Sequence, residues 1–371
     1  MQQELPYFKL QFYRPYLGMA YFKRLGINIS ISIITIIVCL SVLEIYARFF
    51  LNIKYFDLNI IQPPFNDQIK DRFIIYDGVI GFIPGPAWTG GEGMYGFQNG
   101  REYLNSKHKD KNMVIIGDSI IQYRFLEKVL KDLLKDKNYK VWNAGIGGYN
   151  TIQEAYYLER HIKIRPDILI LGFCLNDFMP SMTLVPHDSQ LHRKTAQLLF
   201  EPLGFANPFL FAHSALYRYI KLKTVYLAKK EDLWSTATVL HNRQAVYKAL
   251  DKMRKFCLHK DIPFLVIIYP HLREFSPTHD DWFAQAHVAI VEILSTLGIK
   301  YIDLYDNYRN IGFEKLQIRS GDIVHSNIEG NFIAAQELII KFYAELGLSR
   351  QEADNLTSIT FGQYEKKSLS H

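Results

Sequence analysis

At 371 residues the chain is long enough to bury one full core and still carry an anchor and insertions. Its formal charge of +6, from 43 basic and 37 acidic side chains, is mild and dispersed, and no arginine-rich stretch interleaved with aromatics stands out, so nucleic acid is excluded as a partner. Cys39, Cys174 and Cys257 follow no disulfide spacing rule and leave the redox compartment undecided.

Residues 25–43 form an uncharged, isoleucine-rich run of about 19 residues, which as a helix rising ~1.5 Å per residue nearly spans a hydrocarbon core. Lys9, Arg14, Lys23 and Arg24 precede it, so the positive-inside rule assigns residues 1–24 to the cytoplasm, residues 25–51 to a single transmembrane anchor and everything later to the extracytoplasmic side. Glu44-Ile45-Tyr46-Ala47-Arg48 offers no small-residue cleavage site, which favours an anchor over a signal peptide.

Residues 52–111 are rich in Pro, Gly and Asn and read as a stalk and irregular extension. Apolar runs and helical patterns then alternate: a strand at 113–116, a helix over 120–134, a strand at 140–143, a helix over 151–162 and a strand at 168–173. After an interruption at 178–235 the alternation resumes with a helix over 236–259, a strand at 263–269, a helix over 282–297, a strand at 300–304 and a helix over 328–346. Five strands in this order predict a flavodoxin-like three-layer α/β/α sandwich around a parallel sheet, its site at the strands' carboxyl ends. The interruption reads as a helical insertion packed on this domain of 112–348; a lid or a membrane-touching surface is the alternative. Residues 349–371 read as a polar, disordered tail.

Three groups converge on that sheet edge. Gly117-Asp118-Ser119 follows the first strand and places a hydroxyl at a helix start, with its own N–H turned towards an incoming oxyanion. Asn143-Ala144-Gly145-Ile146-Gly147-Gly148 follows the second, where glycines let backbone N–H groups approach a ligand. Asn176-Asp177 ends the third, offering a side-chain amide to an oxyanion. Far downstream, Asp322 and His325 stand three positions apart and supply an acid and an imidazole. Tyr269 and His271 end the fourth strand and are weaker candidates for substrate contact, as is Arg273. Asp118 has no acidic neighbour in sequence and reads as structural, and Cys174 as a small buried hydrophobe.

The four blocks, in this order, resemble those of the SGNH hydrolases, the GDSL esterase superfamily, over roughly residues 112–346. The resemblance implies a catalytic Ser119, His325 and Asp322, an oxyanion hole formed by Ser119, Gly148 and Asn176, and no metal or organic cofactor. It departs at Cys174, where the family usually has glycine, at Ser326, where proline is common, and at Asn331, which replaces a frequent histidine. The implied activity is that of a serine esterase on acyl groups, acetyl above all, of an extracytoplasmic glycan. Transfer to a sugar hydroxyl through the same triad is the alternative. A catalytically silent glycan-binding envelope protein is a further class, and a flavin-binding module is weakened by the absence of a Ser/Thr-rich phosphate loop. The sequence leaves the oligomeric state open.

Overall fold

The computed structural model describes residues 16–50, 74–77, 80–84, 97, 110–179, 182–186, 196–200, 210, 214–217, 219–220, 235–276 and 281–368. Helix α1 (Tyr16–Phe50) is followed by an antiparallel hairpin of β1 (Ile74–Asp77) and β2 (Gly81–Pro84). The alternating portion begins with β3 (Lys111–Gly117), α2 (Ser119–Gln122), α3 (Phe125–Leu133), β4 (Tyr139–Gly145), α4 (Thr151–Arg160) and β5 (Ile168–Cys174). A second antiparallel hairpin, β6 (Met182–Pro186) and β7 (Ala196–Phe200), leads to α5 (Thr236–His259), β8 (Phe264–Tyr269), α6 (Trp282–Leu297) and β9 (Lys300–Asp303). The chain closes with α7 (Tyr305–Ile311), α8 (Ile328–Phe342), α9 (Arg350–Thr357) and α10 (Phe361–Ser368).

The five central strands are all parallel and lie in the order β4-β3-β5-β8-β9, the flavodoxin-like order inferred from the sequence. Their side chains alternate between two buried faces, as a period of two requires. Val114, Leu169, Leu171 and Val266 pack with Leu158 of α4, Leu250 of α5 and Ile290 of α6 on one side. Met113, Ile115, Ile170 and Leu265 pack with Val129 of α3 and Leu338 of α8 on the other. Both faces are therefore dry, which is why these strands are continuous apolar runs.

Three expectations are corrected. The helix over 120–134 is two helices: Arg124 takes a left-handed φ of 64°, a conformation that costs an L residue roughly 1 kcal/mol, and the axis breaks there. Its guanidinium is held by Glu127, which is 2% exposed, through Nε–Oε2 at 2.8 Å and Nη2–Oε1 at 2.9 Å. The insertion at 178–235 contains the β6–β7 hairpin and, among its described residues, only short helical stretches. Residues 350–368 are ordered helices: Ser349 and Glu352 form a capping box, Ala353 is fully buried, and Tyr364 donates to Asp132 at 2.9 Å while its ring meets Phe332 at 5.0 Å. Polar composition concealed the sparse apolar stripe of Ala353, Leu356, Phe361 and Tyr364.

Of the stalk and extension at 52–111, only residues 74–77, 80–84, 97, 110 and 111 are among the described residues. The β1–β2 turn does join the core: Ile80 is fully buried and its carbonyl accepts from Gln153 Nε2 at 2.7 Å. The stretch of α1 from Arg24 to Phe50 is 27 residues long, its most apolar 18 residues average a hydropathy of 2.4, and it is long and apolar enough to cross a membrane, with its isoleucines exposed. Near its end, Glu44 accepts from Ser214 Oγ at 2.7 Å and from the Ala215 and Leu216 N–H groups at 2.8 and 2.9 Å, tying α1 to the insertion.

Tyr364→Ala is expected to cost roughly 3 kcal/mol of unfolding free energy, the usual loss for truncating a buried aromatic ring, read by denaturant titration of the detergent-solubilised protein. A loss near zero would mean that α10 is not part of the cooperative unit.

Candidate active site

The site is built where β3 meets α2. Gly117, Gly145 and Gly172 are register partners on β3, β4 and β5, and a Cβ on any of them would fall 2.5 Å from an atom of Ile121 or Gln122. This row of bare backbone lets α2 sit directly on the sheet's carboxyl edge. Asn143, fully buried, fastens it: Nδ2 donates to the Ile121 carbonyl at 2.9 Å and Oδ1 accepts the Gly145 N–H at 2.9 Å.

Ser119 is the first residue of α2, and Asp118 is its N-cap, accepting the Ile120 N–H at 2.9 Å. Across the crevice, the loop before α8 delivers His325. Its Nε2 lies 2.8 Å from Ser119 Oγ, and its Nδ1 lies 3.0 Å from both Asp322 oxygens. A carboxylate only accepts, so Nδ1 carries the proton and Nε2 presents a lone pair to the serine hydroxyl. Asp322 also accepts the N–H groups of Val324 at 3.1 Å and His325 at 3.0 Å. Burial pushes its carboxyl up, but those donors and the imidazole outweigh burial and hold it below the ordinary carboxylate value. The loop is pinned at several further points: Ile318 N–H to His325 O at 2.9 Å, Leu272 N–H to Ile323 O at 2.7 Å, and Asn331 Nδ2 to Ser326 Oγ at 3.1 Å.

Asn176 lies in a 3-10 turn after β5 and donates through Nδ2 to Asp118 Oδ2 at 3.2 Å. An amide NH2 has two hydrogens, so one donor remains for a ligand at this edge. The glycine turn is closed by Tyr149 N–H to Ile146 O at 3.1 Å, with Gly148 at φ 84°, a conformation suited to glycine. The Gly147 N–H is occupied by Gln122 Oε1 at 2.7 Å, and a Cβ on Gly147 would stand 3.6 Å from Ser119 Cβ, which puts this turn against the serine.

Two weaker candidates are placed differently. Tyr269 is fully buried and donates to Asn331 Oδ1 at 3.1 Å, so it supports the histidine loop from below instead of facing a ligand. His271 is withdrawn from solvent: it is 1% exposed, packed on Phe283 at 4.3 Å and Trp282 at 5.5 Å. Burial, with Arg273 and His325 nearby, pushes its imidazole down to about 3, so it is neutral at neutral pH. Arg273 instead spans Phe283 and Asp281, 4.8 Å from the ring centroid and 3.4 Å from the carboxylate.

Sequence reading missed the buried carboxylates beneath the site. Asp118, Glu154 and Asp177 are each fully buried; burial first, then their mutual repulsion, raises Glu154 and Asp177 well above ordinary values. Asp118 is raised by burial too, although the Ile120 N–H, Asn176, His325 and Ser119 counter it. Burial likewise keeps Cys174 a protonated thiol. Glu154 gave no signal in sequence because it occupies an ordinary helical position; only the fold buries it near Asp177 and Asp118. Among the described residues no cluster of His, Cys, Asp or Glu has the geometry to hold a metal ion. A groove of about 580 Å³ between α4 and α5, lined by Leu158, Lys252 and Phe256 among others, includes none of Ser119, Gly148, Asn176, Asp322 and His325.

A raised folded-state pKa means that the folded protein holds more protons than the unfolded one above the ordinary carboxylate value, so stability falls as pH rises through that window. Glu154→Gln is therefore expected to shrink the drop in Tm between about pH 5 and about pH 8, measured by thermal unfolding. An unchanged drop would mean that Glu154 ionises freely.

No protein-family model and no curated protein matches the chain in sequence. In three dimensions it is similar to the acetyl xylan esterase AlAXEase, at 16% identity and a TM-score of 0.40 over 62% of this chain and 99% of that one. It is similar to Axe2, an acetylxylan esterase from Geobacillus stearothermophilus, at 13% identity and a TM-score of 0.38 over 65% of this chain and 95% of that one. TesA is similar at 10% identity and a TM-score of 0.38, over 64% of this chain and 98% of that one.

Proposed function

We propose that the chain is a membrane-anchored serine esterase of the SGNH type, which cleaves ester-linked acyl groups, acetyl above all, from an extracytoplasmic glycan. The observation that carries this reading is the 2.8 Å contact from Ser119 Oγ to His325 Nε2, braced by Asp322 at 3.0 Å, at the switch point of a parallel sheet.

Ser119 Oγ attacks the ester carbonyl while His325 Nε2 takes its proton, and Asp322 stabilises the imidazolium that forms. The oxyanion is met by the Ser119 N–H, an orphan donor of the first turn of α2, by the Gly148 N–H and by Asn176 Nδ2. Collapse breaks the carbon–oxygen bond to the alcohol, which leaves with the proton from His325. Water, deprotonated by the same imidazole, then releases the acid and restores Ser119. The Nδ1–H directed at Asp322 leaves Nε2 as the ring nitrogen that faces Ser119 Oγ.

The apolar stretch of α1 would hold this domain at the membrane, and the basic residues before it support an extracytoplasmic domain. Glu44, within that stretch, is satisfied by Ser214, Ala215 and Leu216, which removes the cost of an unpaired charge near the interface.

Acetate release from an acetylated glycan is expected to vanish in Ser119→Ala, to fall by roughly 10⁴ in Asp322→Asn, and to fall by about 10²–10³ in Asn176→Ala. Turnover in Ser119→Ala equal to wild type would contradict the reading.

A further inference from the structure

The left-handed kink at Arg124 separates α2 from α3 and so changes where the aromatic residues on either side point. In an unbroken helix, positions two apart project to different faces and their rings do not meet. Here the rings of Tyr123 and Phe125 lie parallel, 7° apart in tilt, with centroids 6.0 Å apart. Tyr123 also meets the His325 ring at 5.1 Å and 71°, and it is 43% exposed. The outcome is a flat, open apolar surface that begins at the imidazole assigned as base. The core does not require it, because Leu126, Val129 and Leu130 supply the buried face of α3. The strained backbone is kept in place by the buried Glu127, itself also paired with Lys131 at 2.7 Å. Strain held by its surroundings beside a reactive pair points to a use.

We propose that Tyr123, with Phe125 behind it, is the subsite for the leaving alcohol and that it takes a pyranose ring, stacked by its C–H face. The inference rests on the reading of Ser119 and His325 as nucleophile and base. In that reaction His325 returns its proton to the departing oxygen, so the leaving alcohol must lie against the imidazole that Tyr123 touches. A one-sided, solvent-open aromatic face suits a rigid ring with one apolar face and outward hydroxyls, whereas a flexible acyl chain is stabilised by enclosure. On the Asp322 side, Arg319 is 81% exposed and 3.4 Å from Asp322 Oδ2, a cation placed to donate to sugar hydroxyls.

The test compares kcat/KM of the detergent-solubilised full chain for methyl tetra-O-acetyl-glucopyranoside and for ethyl acetate, which lacks the ring. Tyr123→Ala is expected to lower the pyranoside-to-ethyl acetate ratio by about 10-fold, chiefly through KM; Tyr123→Phe is expected to restore it and Tyr123→Leu is not. An unchanged ratio in Tyr123→Ala, or rescue by Leu equal to that by Phe, overturns the subsite while leaving the esterase intact. Should the wild type hydrolyse neither ester, the esterase reading fails. Saturation-transfer NMR of methyl glucopyranoside then decides the subsite: a signal lost in Tyr123→Ala supports it, and an equal signal in both proteins overturns it.

Discussion

The contact between Ser119 and His325 joins residues 206 positions apart, and the rest of the structure makes it possible. One side of it depends on β3 lying inside the sheet, next to β5, so that the helix starting at Ser119 opens onto the crevice where strand order reverses. The other side depends on a loop that arrives only after β9 and α7 have been laid down. That loop is held by Asp322, by Leu272 and, through Ser326, by Asn331, whose own carbonyl oxygen is fixed by Tyr269. Few of these groups touch a reacting atom. They restrict the imidazole to an orientation in which one nitrogen faces a carboxylate and the other faces a hydroxyl.

Holding that geometry at the end of a dry sheet has a cost. The turn carrying Asn176 is secured by polar groups buried on all sides: Asn150 Nδ2 reaches Met179 O at 2.8 Å, Asn242 Nδ2 reaches Phe178 O at 2.8 Å, and Asp177 accepts the Cys174 N–H at 3.2 Å. Glu154 and Asp177 are left so dehydrated that protonation is favoured, and the oxygens of Glu154 find no partner among the described groups. Unsatisfied buried polar atoms are destabilising, and their concentration beneath one edge of the sheet, away from the apolar centre, is the expected trade of stability for a rigid polar site.

The sheet was legible because both of its faces are buried. Runs such as Met113 to Ile116 and Ile168 to Phe173 leave no other reading once turns bound them, and the helices at 236–259 and 282–297 were bounded in the sequence as they are in the structure. Ser119, His325 and Asp322 came into view through blocks that resemble those of the SGNH hydrolases, and the fold brings the three side chains together. What stayed hidden depends on three-dimensional neighbours. The glycine row at 117, 145 and 172 is scattered along the chain and becomes one groove only through strand register. The break at Arg124 carries no Gly or Pro signal, since it is fixed by an ion pair to Glu127. The helices after Ser349 bury only a narrow stripe against Phe332 and Asp132, too little to stand out from polar composition.

The central claim is that Ser119 is an activated nucleophile. Labelling the folded, detergent-solubilised chain with a fluorophosphonate and locating the adduct by peptide mass spectrometry tests it most directly. The account predicts a single phosphonylated peptide modified at Ser119, abolished in Ser119→Ala and strongly reduced in His325→Ala. Absence of labelling in the folded wild type, or an adduct that maps elsewhere and persists in Ser119→Ala, would contradict it.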